Sequence, residues 1–600
     1  MKIGARVLAA WLWLCTCAAA QDTTTPSADV QERDVIHLLD EIPNYDEILR
    51  DQWSPDVPAD VRAAQQSTEY YGRLLDTEPT VATSLPQCIA LALRNNTDLQ
   101  IQRLGPVSAA NGIRQARSQF DPRLFSNVSK DRTQIPSTTL LFAGTSTRQV
   151  TNDFNADLGV RKFLLSGGLL ELKWSNTRYY PTASIATPLV PQYTSNLGLS
   201  LNQPLLRDFG WRYSLLLVDV AETTAESAFY QYQAGIANLI GQVERAYWNL
   251  VLAIQTVKVA EQGLALAQET QRQNEGRFNV GAMAQTAVLE AKSQVAQREA
   301  TLIQARNLRD IQRDNVRALI NARNPQAAAL ISIEPQDWPA VQPYEINLDR
   351  SLKAALGLRP ELVAARFDVQ GKGLQRKIAE NQLLPRLNLV AGIGLTGVSG
   401  TDAKVPLGSA IVGTNPTPGL EPAPTPALVP VNQDVLGGYS HALDLMTRGD
   451  FYNYVAGVTI EIPIDNAQAK ANYAQANVNF DSSRLSLQKL QETVTLEIKT
   501  AVTNLQTDLK SIEATRIARE LAEENLRNQQ ARYDVGLATT KDILDFQDQL
   551  TRARFAEIQA LTSYNVDVAE MRRVEGTLLD ARNVVVERVS AGATPWWAQF

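Results

Sequence analysis

Few residues in the chain have types and spacing suited to chemistry. Asp542 and Asp545 stand three apart just after Gly536-Leu537. On a helix that spacing puts both carboxylates on one face, where they attract cations or form an ordinary solvated surface. The 600 residues include three Cys and two His, whereas a zinc site needs three or four Cys, His or carboxylate ligands close in space. Cys88 lies in an apolar helical run and reads as a small buried hydrophobe. His37 and His441 fall in irregular segments and suggest no catalytic pairing. No nucleophile–base set, phosphate loop or metal cluster is visible, so no catalytic residue, metal or cofactor is expected. A net charge of −7 without a basic stripe argues against nucleic acid as a partner.

Two short segments stand out by repetition. Arg277-Phe278-Asn279-Val280-Gly281 recurs as Arg532-Tyr533-Asp534-Val535-Gly536, at an offset of 532 − 277 = 255. The match extends without gaps, carrying Asn249-Leu250 onto Asn504-Leu505 and Ile303-Gln304-Ala305 onto Ile558-Gln559-Ala560. A second alignment, at 385 − 122 = 263, carries Pro122-Arg123-Leu124 onto Pro385-Arg386-Leu387 and Ala92-Leu93 onto Ala355-Leu356. The chain therefore reads as an internal two-fold repeat, 82–330 and 331–580. Each copy has the order helix, strands, very long helix, tight turn, helix. Glycine ends a helix readily by accepting positive φ, so Val280-Gly281-Ala282 and Val535-Gly536-Leu537 mark the two turns.

The elements that hold these turns follow from periodicity. First helices are predicted at about Leu85–Gln119 and Leu348–Gln382, stopped by Pro122 and Pro385. Strands alternate with period two at Phe154–Val160, Leu170–Trp174, Leu197–Leu201, Leu387–Leu395 and Val458–Ile464, with a turn at Ser166-Gly167-Gly168. At about 8–11 residues they suit tilted membrane-crossing strands; a soluble sandwich with one wet face gives the same alternation. Trp174, Tyr179, Tyr180, Tyr193, Trp211 and Tyr213 flank them, as aromatic girdles or as ordinary strand packing. Arg212–Arg277 and Asp465–Arg532 contain no Pro, and at 1.5 Å per residue each is a rod of about 100 Å. Val288, Val295 and Leu302 are spaced by seven, as coiled coils require.

The flanks are read from composition. Lys2 and Arg6, the apolar run Val7–Leu14 and Ala18-Ala19-Ala20 make 1–20 a secretory signal. Thr16 before Cys17 makes a poor lipid-attachment context. Beyond the signal no run of 18 apolar residues occurs, so no membrane-spanning helix is expected, and any membrane crossing falls to strands. Residues 21–81 read as a flexible arm, about 397–450 as a long external loop rich in Pro, and 581–600 as a tail.

Leu85–Asn96 (LPQCIALALRNN) followed by Asp98-Leu99, the junction Asn202-Gln203-Pro204-Leu205-Leu206-Arg207, and the two Arg-aromatic-x-Val-Gly turns together resemble the TolC family of outer-membrane efflux and secretion proteins. The resemblance covers about Leu85 to Leu579. It implies a mixed fold: an outer-membrane β-barrel shared by a homotrimer, continued by a long α-helical coiled-coil tunnel in the periplasm. It also answers a physical need, because a few strands cannot close a barrel and open edges in lipid leave backbone groups unpaired. The implied function is a passive exit duct of a tripartite efflux pump or type I secretion system, in contact with outer-membrane lipid. Partners would be a periplasmic adaptor and an inner-membrane pump, RND, ABC or similar. The resemblance assigns adaptor docking to Arg277, Phe278, Val280, Gly281, Ala282, Arg532, Tyr533, Val535, Gly536 and Leu537. It assigns a periplasmic gate to Asp542, Asp545 and Tyr533, six of the carboxylates gathering around a three-fold axis. Two departures are visible: Ala538 stands where the family has an Arg, and Ala287 where it has an Asp. Typical members offer four strands per subunit, and the hairpin at Gly167-Gly168 is extra. The alternatives are a periplasmic coiled-coil adaptor or scaffold without a pore, against which the duplication argues, and an exported hydrolase, against which the lack of a compact α/β pattern argues.

Overall fold

The computed structural model describes residues 80–136, 148–181, 188–320, 332–341, 344–405, 428, 430–586 and 588. The expected signal at 1–20, nearly all of the arm at 21–81, the middle of the long loop and most of the tail lie outside them. The described residues fall into two compact units, one within 113–221 and 372–480, the other within 80–112, 222–371 and 481–588.

The second unit is helical. Helix α1 (Leu85–Asn95) opens at Ser84, whose N–H donates to the Gln87 side chain at 3.0 Å, which gives an otherwise orphaned backbone donor an acceptor. It does not run on to Gln119 as predicted. Asn96 turns extended (φ −64°, ψ 120°), and its Oδ1 accepts from Leu99 N at 3.0 Å, starting α2 (Thr97–Arg117). The second predicted helix breaks likewise, into α5 (Leu348–Leu358) and α6 (Pro360–Asn381), at the extended Arg359. Pro360 is the cause there, since a residue before proline is pushed out of the α region. The long helices match expectation closely: α3 is Trp211–Asn279 and α8 is Ala467–Asp534. Each is followed by a 36-residue partner, α4 (Gln285–Ile320) and α9 (Thr540–Glu575). The one-turn α10 (Leu578–Ala581) closes the series.

Two main apolar clusters hold these helices. Cys88, Ala92 and Leu99 pack with Ile240, Val243, Tyr247 and Leu250 of α3 and Val316 of α4. Ala355 and Leu362 pack with Val494 and Ile498 of α8 and Met571 of α9. Each fully buried aliphatic side chain contributes roughly 1.5–3 kcal/mol. One eighteen-residue stretch of α3 has a mean hydropathy of 1.3, and 39% of it is buried within the chain. Burial also pushes the Cys88 thiol up to about 12, so it is an inert core residue. Two short strands, β1 (Thr80–Thr83) and β6 (Ser332–Pro335), pair in parallel beside the first cluster. β1 therefore takes in the last residues of the predicted arm.

The other unit is built on one antiparallel sheet of six strands in the order β2-β3-β4-β5-β7-β8. They are β2 (Arg123–Pro136), β3 (Arg148–Phe163), β4 (Leu169–Pro181), β5 (Leu189–Pro204), β7 (Arg386–Asp402) and β8 (Tyr452–Glu461). Their 10–17 residues mostly exceed the predicted 8–11. β2 escaped the sequence pattern because Lys130, Asp131 and Arg132 interrupt its alternation. Ile462 and Ile464, predicted in a strand, lie beyond the end of β8, where Pro463 cannot donate to the ladder. The extra hairpin is β3–β4, turning through Gly167 at φ +87°, and it is paired inside the sheet between β2 and β5. The long loop is not wholly irregular. It begins within β7 and carries a ten-residue helix, α7 (Tyr439–Arg448). α7 packs on β7 and β5 so closely that a Cβ on Gly397 would collide with the Ala442 carbonyl oxygen.

Candidate functional site

Both helical hairpin tips lie in the helical unit. Each long helix ends in the same cap. At the first, Gly281 (φ +76°) donates N–H to Phe278 O at 2.9 Å and Ala282 to Arg277 O at 2.8 Å. At the second, Gly536 (φ +80°) donates to Tyr533 O at 3.1 Å and Leu537 to Arg532 O at 2.8 Å. These are the two hydrogen bonds of a Schellman motif, which satisfies the last helical carbonyls and favours glycine at the left-handed position. The caps leave apolar side chains outside: Val280 is 79% exposed, Val535 70% and Leu537 71%, with Phe278 partly so.

Beneath that surface the tips are joined by polar contacts. Tyr533, only 4% exposed, donates its hydroxyl to Asn274 Oδ1. Asn274 Nδ2 donates to Thr540 Oγ1 at 3.2 Å and to Ala287 O at 3.3 Å. Arg277 lies over the Tyr533 ring, 4.6 Å from its centroid, and pairs with Asp534 at 3.5 Å. Further along, Gln547 donates to Thr270 at 3.0 Å, and Arg298 pairs with Asp548 at 2.7 Å. Of the residues assigned by resemblance, Tyr533 and Arg277 thus meet across the two tips, while Phe278, Val280, Val535 and Leu537 face outward.

The two acidic residues differ from each other. Asp542 closes a capping box with Thr539: its carboxylate accepts from Thr539 N at 2.9 Å and Thr539 Oγ1 at 2.7 Å. Those hydrogen bonds hold its pKa below the usual carboxylate value, since they favour the charged form. Asp545 is exposed one turn along the same helix. Among the described residues no group of three His, Cys, Asp or Glu is placed to hold a metal ion.

Sequence reading missed Asn274, which is fully buried. The signal was present. Ala253, Ala260 and Ala267 precede it at steps of seven and are all buried, so Asn274 is a polar residue in a heptad core position, the kind that fixes register. Also missed was a carboxylate pair between α8 and α9. Burial, and then the charge of Asp508, push Asp567 up to about 7.

The sheet has two unlike faces. From the register, one face carries Leu124, Val128, Phe154, Leu158, Val160, Leu172, Trp174, Leu197, Leu199, Leu389, Ile393, Leu395, Tyr454, Val458 and Ile460. The other carries Asn127, Asp131, Asp153, Asp157, Arg161, Glu171, Lys173, Asn196, Asn202 and Glu461. Three of its four basic residues are paired: Arg161 with Glu171 at 2.8 Å, Lys173 with Asp157 at 2.9 Å and Arg386 with Glu461 at 3.2 Å; the fourth is Arg123, registered with Arg161. Several residues of the apolar face are exposed, among them Leu124, Tyr454 and Ile460. Of the aromatic residues expected to form girdles, Trp174, Tyr180 and Tyr193 are on the apolar face. Tyr179 is on the polar one, and Trp211 and Tyr213 begin α3.

Comparison with known proteins agrees with this geometry. The profile of the family "Outer membrane efflux protein" matches residues 88–322 and 351–577. The chain is 25% identical over 386 residues to the outer membrane protein TolC of Escherichia coli K12, covering 64% of this chain and 70% of that one. It is 23% identical over 386 residues to the outer membrane efflux protein BepC of Brucella suis, covering 64% and 72%. Among solved structures, the Campylobacter jejuni CmeC outer membrane channel superposes with a TM-score of 0.59 at 17% identity, covering 82% of this chain and 86% of that one. VceC of Vibrio cholerae gives 0.57 at 19%, covering 82% and 96%.

Proposed function

The chain belongs to the outer membrane efflux protein family, a family of channels rather than enzymes, and on that premise we propose that it is one subunit of a homotrimeric exit duct. Its sheet forms part of a barrel wall in the outer membrane, and its helices form part of a periplasmic tunnel. The hairpin tips dock to a periplasmic adaptor, and an inner-membrane pump supplies the energy for efflux or type I secretion. The duct itself is passive.

The observation that carries this reading is the two-faced sheet with open edges. An apolar face of this extent is stable against lipid, and the polar face against water. The outer edges of β2 and β8 have no strand partner among the described residues, and in lipid such edges cost several kcal/mol per unpaired group. Neighbouring copies remove them by pairing β8 of one with β2 of the next. Three copies give eighteen strands. With strands about 4.8 Å apart and tilted by about 40°, such a ring is roughly 36 Å across its backbone.

An internal duplication accompanies this reading. The two family matches start at 88 and 351 and end at 322 and 577, offsets of 263 and 255. The helix breaks at Asn96 and Arg359 also differ by 263. Ala92 and Ala355, Leu99 and Leu362, Val243 and Ile498, and Leu250 and Leu505 are equivalent pairs under the two offsets, and all are buried.

The test is the mass and shape of the detergent-extracted protein, by light scattering and negative-stain microscopy. A trimeric rod with a detergent belt near one end is expected. A compact monomer without bound detergent removes the shared barrel and the transport reading, and leaves a periplasmic scaffold.

A further inference from the structure

Charge is sorted across the sheet in a way that pore formation does not require. None of the Asp and Glu residues assigned to the polar face by the register has a counterpart on the apolar face of the six strands. That face does carry cations: Lys130 and Arg132 on β2, Arg148 and Lys162 on β3, and Arg178 on β4. Lys162 sits near the strand–helix junctions. The other four sit at the opposite end of the strands, past the apolar band.

Three of them form one group. Lys130 is registered with Phe154, and Phe154 with Arg178, so the two cations flank a phenyl ring on adjacent strands. At the usual strand spacing their backbones are about 10 Å apart. Arg132 occupies the next row on this face, registered through Asn152 with Tyr180. The Arg178 guanidinium lies over the Tyr180 ring, 5.7 Å from its centroid. Lys130, Arg132 and Arg178 are exposed, and none has an ion-pair partner among the described residues. Three of the four basic residues of the polar face behave otherwise, Arg161, Lys173 and Arg386 each being paired with a carboxylate at 3.2 Å or less. Asp444 of α7, which packs on the apolar side, is already paired with Arg448.

We propose that Lys130, Arg132 and Arg178 bind the phosphate groups of membrane lipid in the leaflet away from the helices. The inference rests on the reading above, that the apolar face meets lipid. Unpaired cations just beyond an apolar band lie at headgroup depth, where anionic groups attract them, and aromatic residues are at home at the same depth. Guanidinium groups hold phosphate oxygens by paired hydrogen bonds and the ammonium group acts as a point charge. Phe154 between the cations offers an apolar surface to the acyl chains below the headgroup.

The experiment uses the full-length protein in a neutral detergent, after its mass and detergent belt have been measured. Absence of a belt defeats the lipid-facing reading itself. With the belt present, binding of diphosphorylated lipid A in mixed micelles is compared with its dephosphorylated form and with inorganic phosphate. The triple variant Lys130→Gln, Arg132→Gln, Arg178→Gln is expected to bind the phosphorylated lipid about ten- to a hundredfold more weakly, given the usual attraction of each cation to an anionic surface. The control variant Lys173→Gln, on the polar face, is expected to bind as the unaltered protein does. Equal binding by the triple variant and the unaltered protein overturns the proposal. Inorganic phosphate competing at the same concentration as the lipid also overturns it, since the site is then one for free anions.

Discussion

Tyr533 donates its hydroxyl to Asn274, and this contact, buried beneath the exposed tips, ties the second hairpin turn to the first. Asn274 holds Thr540 and the Ala287 carbonyl as well, so one side chain serves three segments. Replacing it with Ala leaves the Tyr533 hydroxyl and Thr540 buried with fewer partners, at a cost of about 1–3 kcal/mol. Limited proteolysis at the two tips reads this directly. Asn274→Ala is expected to be cut there faster than the unaltered protein, with the rest of the chain equally resistant. Tyr533→Phe is expected to behave in the same direction but more mildly, since Asn274 keeps its other bonds.

The tip glycines and the tip apolar residues separate fold from docking. A side chain at Gly281 or Gly536 meets no neighbour within 4 Å, so its effect comes from the left-handed backbone alone, about 1–2 kcal/mol per site. Val280→Asp with Leu537→Asp alters exposed groups and is expected to leave thermal stability within about 0.5 kcal/mol. If the tips dock, the same pair abolishes adaptor-dependent export from cells in which the trimer still assembles. Normal export by that variant counts against docking.

Asp542 and Asp545 are expected to part company when each is changed to Ala. Only Asp542 closes the Thr539 capping box, so only its loss should speed hydrogen exchange at the start of α9. Its lowered pKa means this help is complete above the ordinary carboxylate range and is lost as pH falls through the depressed folded value. In single-channel recording, losing both carboxylates is expected to reduce cation preference, as a charged ring at a pore mouth sets selectivity.

Asp567 gives the opposite pH dependence. Its folded value, about 7, is above that of an unfolded carboxyl, so the folded state keeps a proton that the unfolded state releases. The resulting stability is complete below the unfolded value, near 4, and is lost as pH rises through about 7. Melting of Asp567→Asn at pH 5 and pH 8 checks the sign. The variant is expected to gain on the unaltered protein at pH 8, and the gap should narrow at pH 5.

The sequence made the long helices and both turns legible, because a Pro-free run of more than 60 residues followed by glycine has few other readings. It placed α3 and α8 within two residues at each end. The breaks at Asn96 and Arg359 were overlooked although Pro360 announces one of them. Asn96 gives no such notice, since its capping bond depends on a local turn. β2 was obscured by its three consecutive charged residues, which alternate sides only once a partner strand fixes the register. Helix α7 is too short, in too Pro-rich a stretch, to show a helical period. The tip assignments came from resemblance, and the buried bonds of Tyr533 needed coordinates.

The β3–β4 hairpin has an electrical consequence. If three copies close an eighteen-stranded ring, its cross-section is about twice that of a twelve-stranded one, because circumference grows with strand number. Ohmic resistance falls as area rises, and segments in series add their resistances. The wall then contributes little to the total, and single-channel current reports on the narrower helical end. Removing the hairpin, for example by joining Arg123–Pro136 to β5 directly, is expected to change measured conductance less than removing the Asp542 and Asp545 carboxylates does.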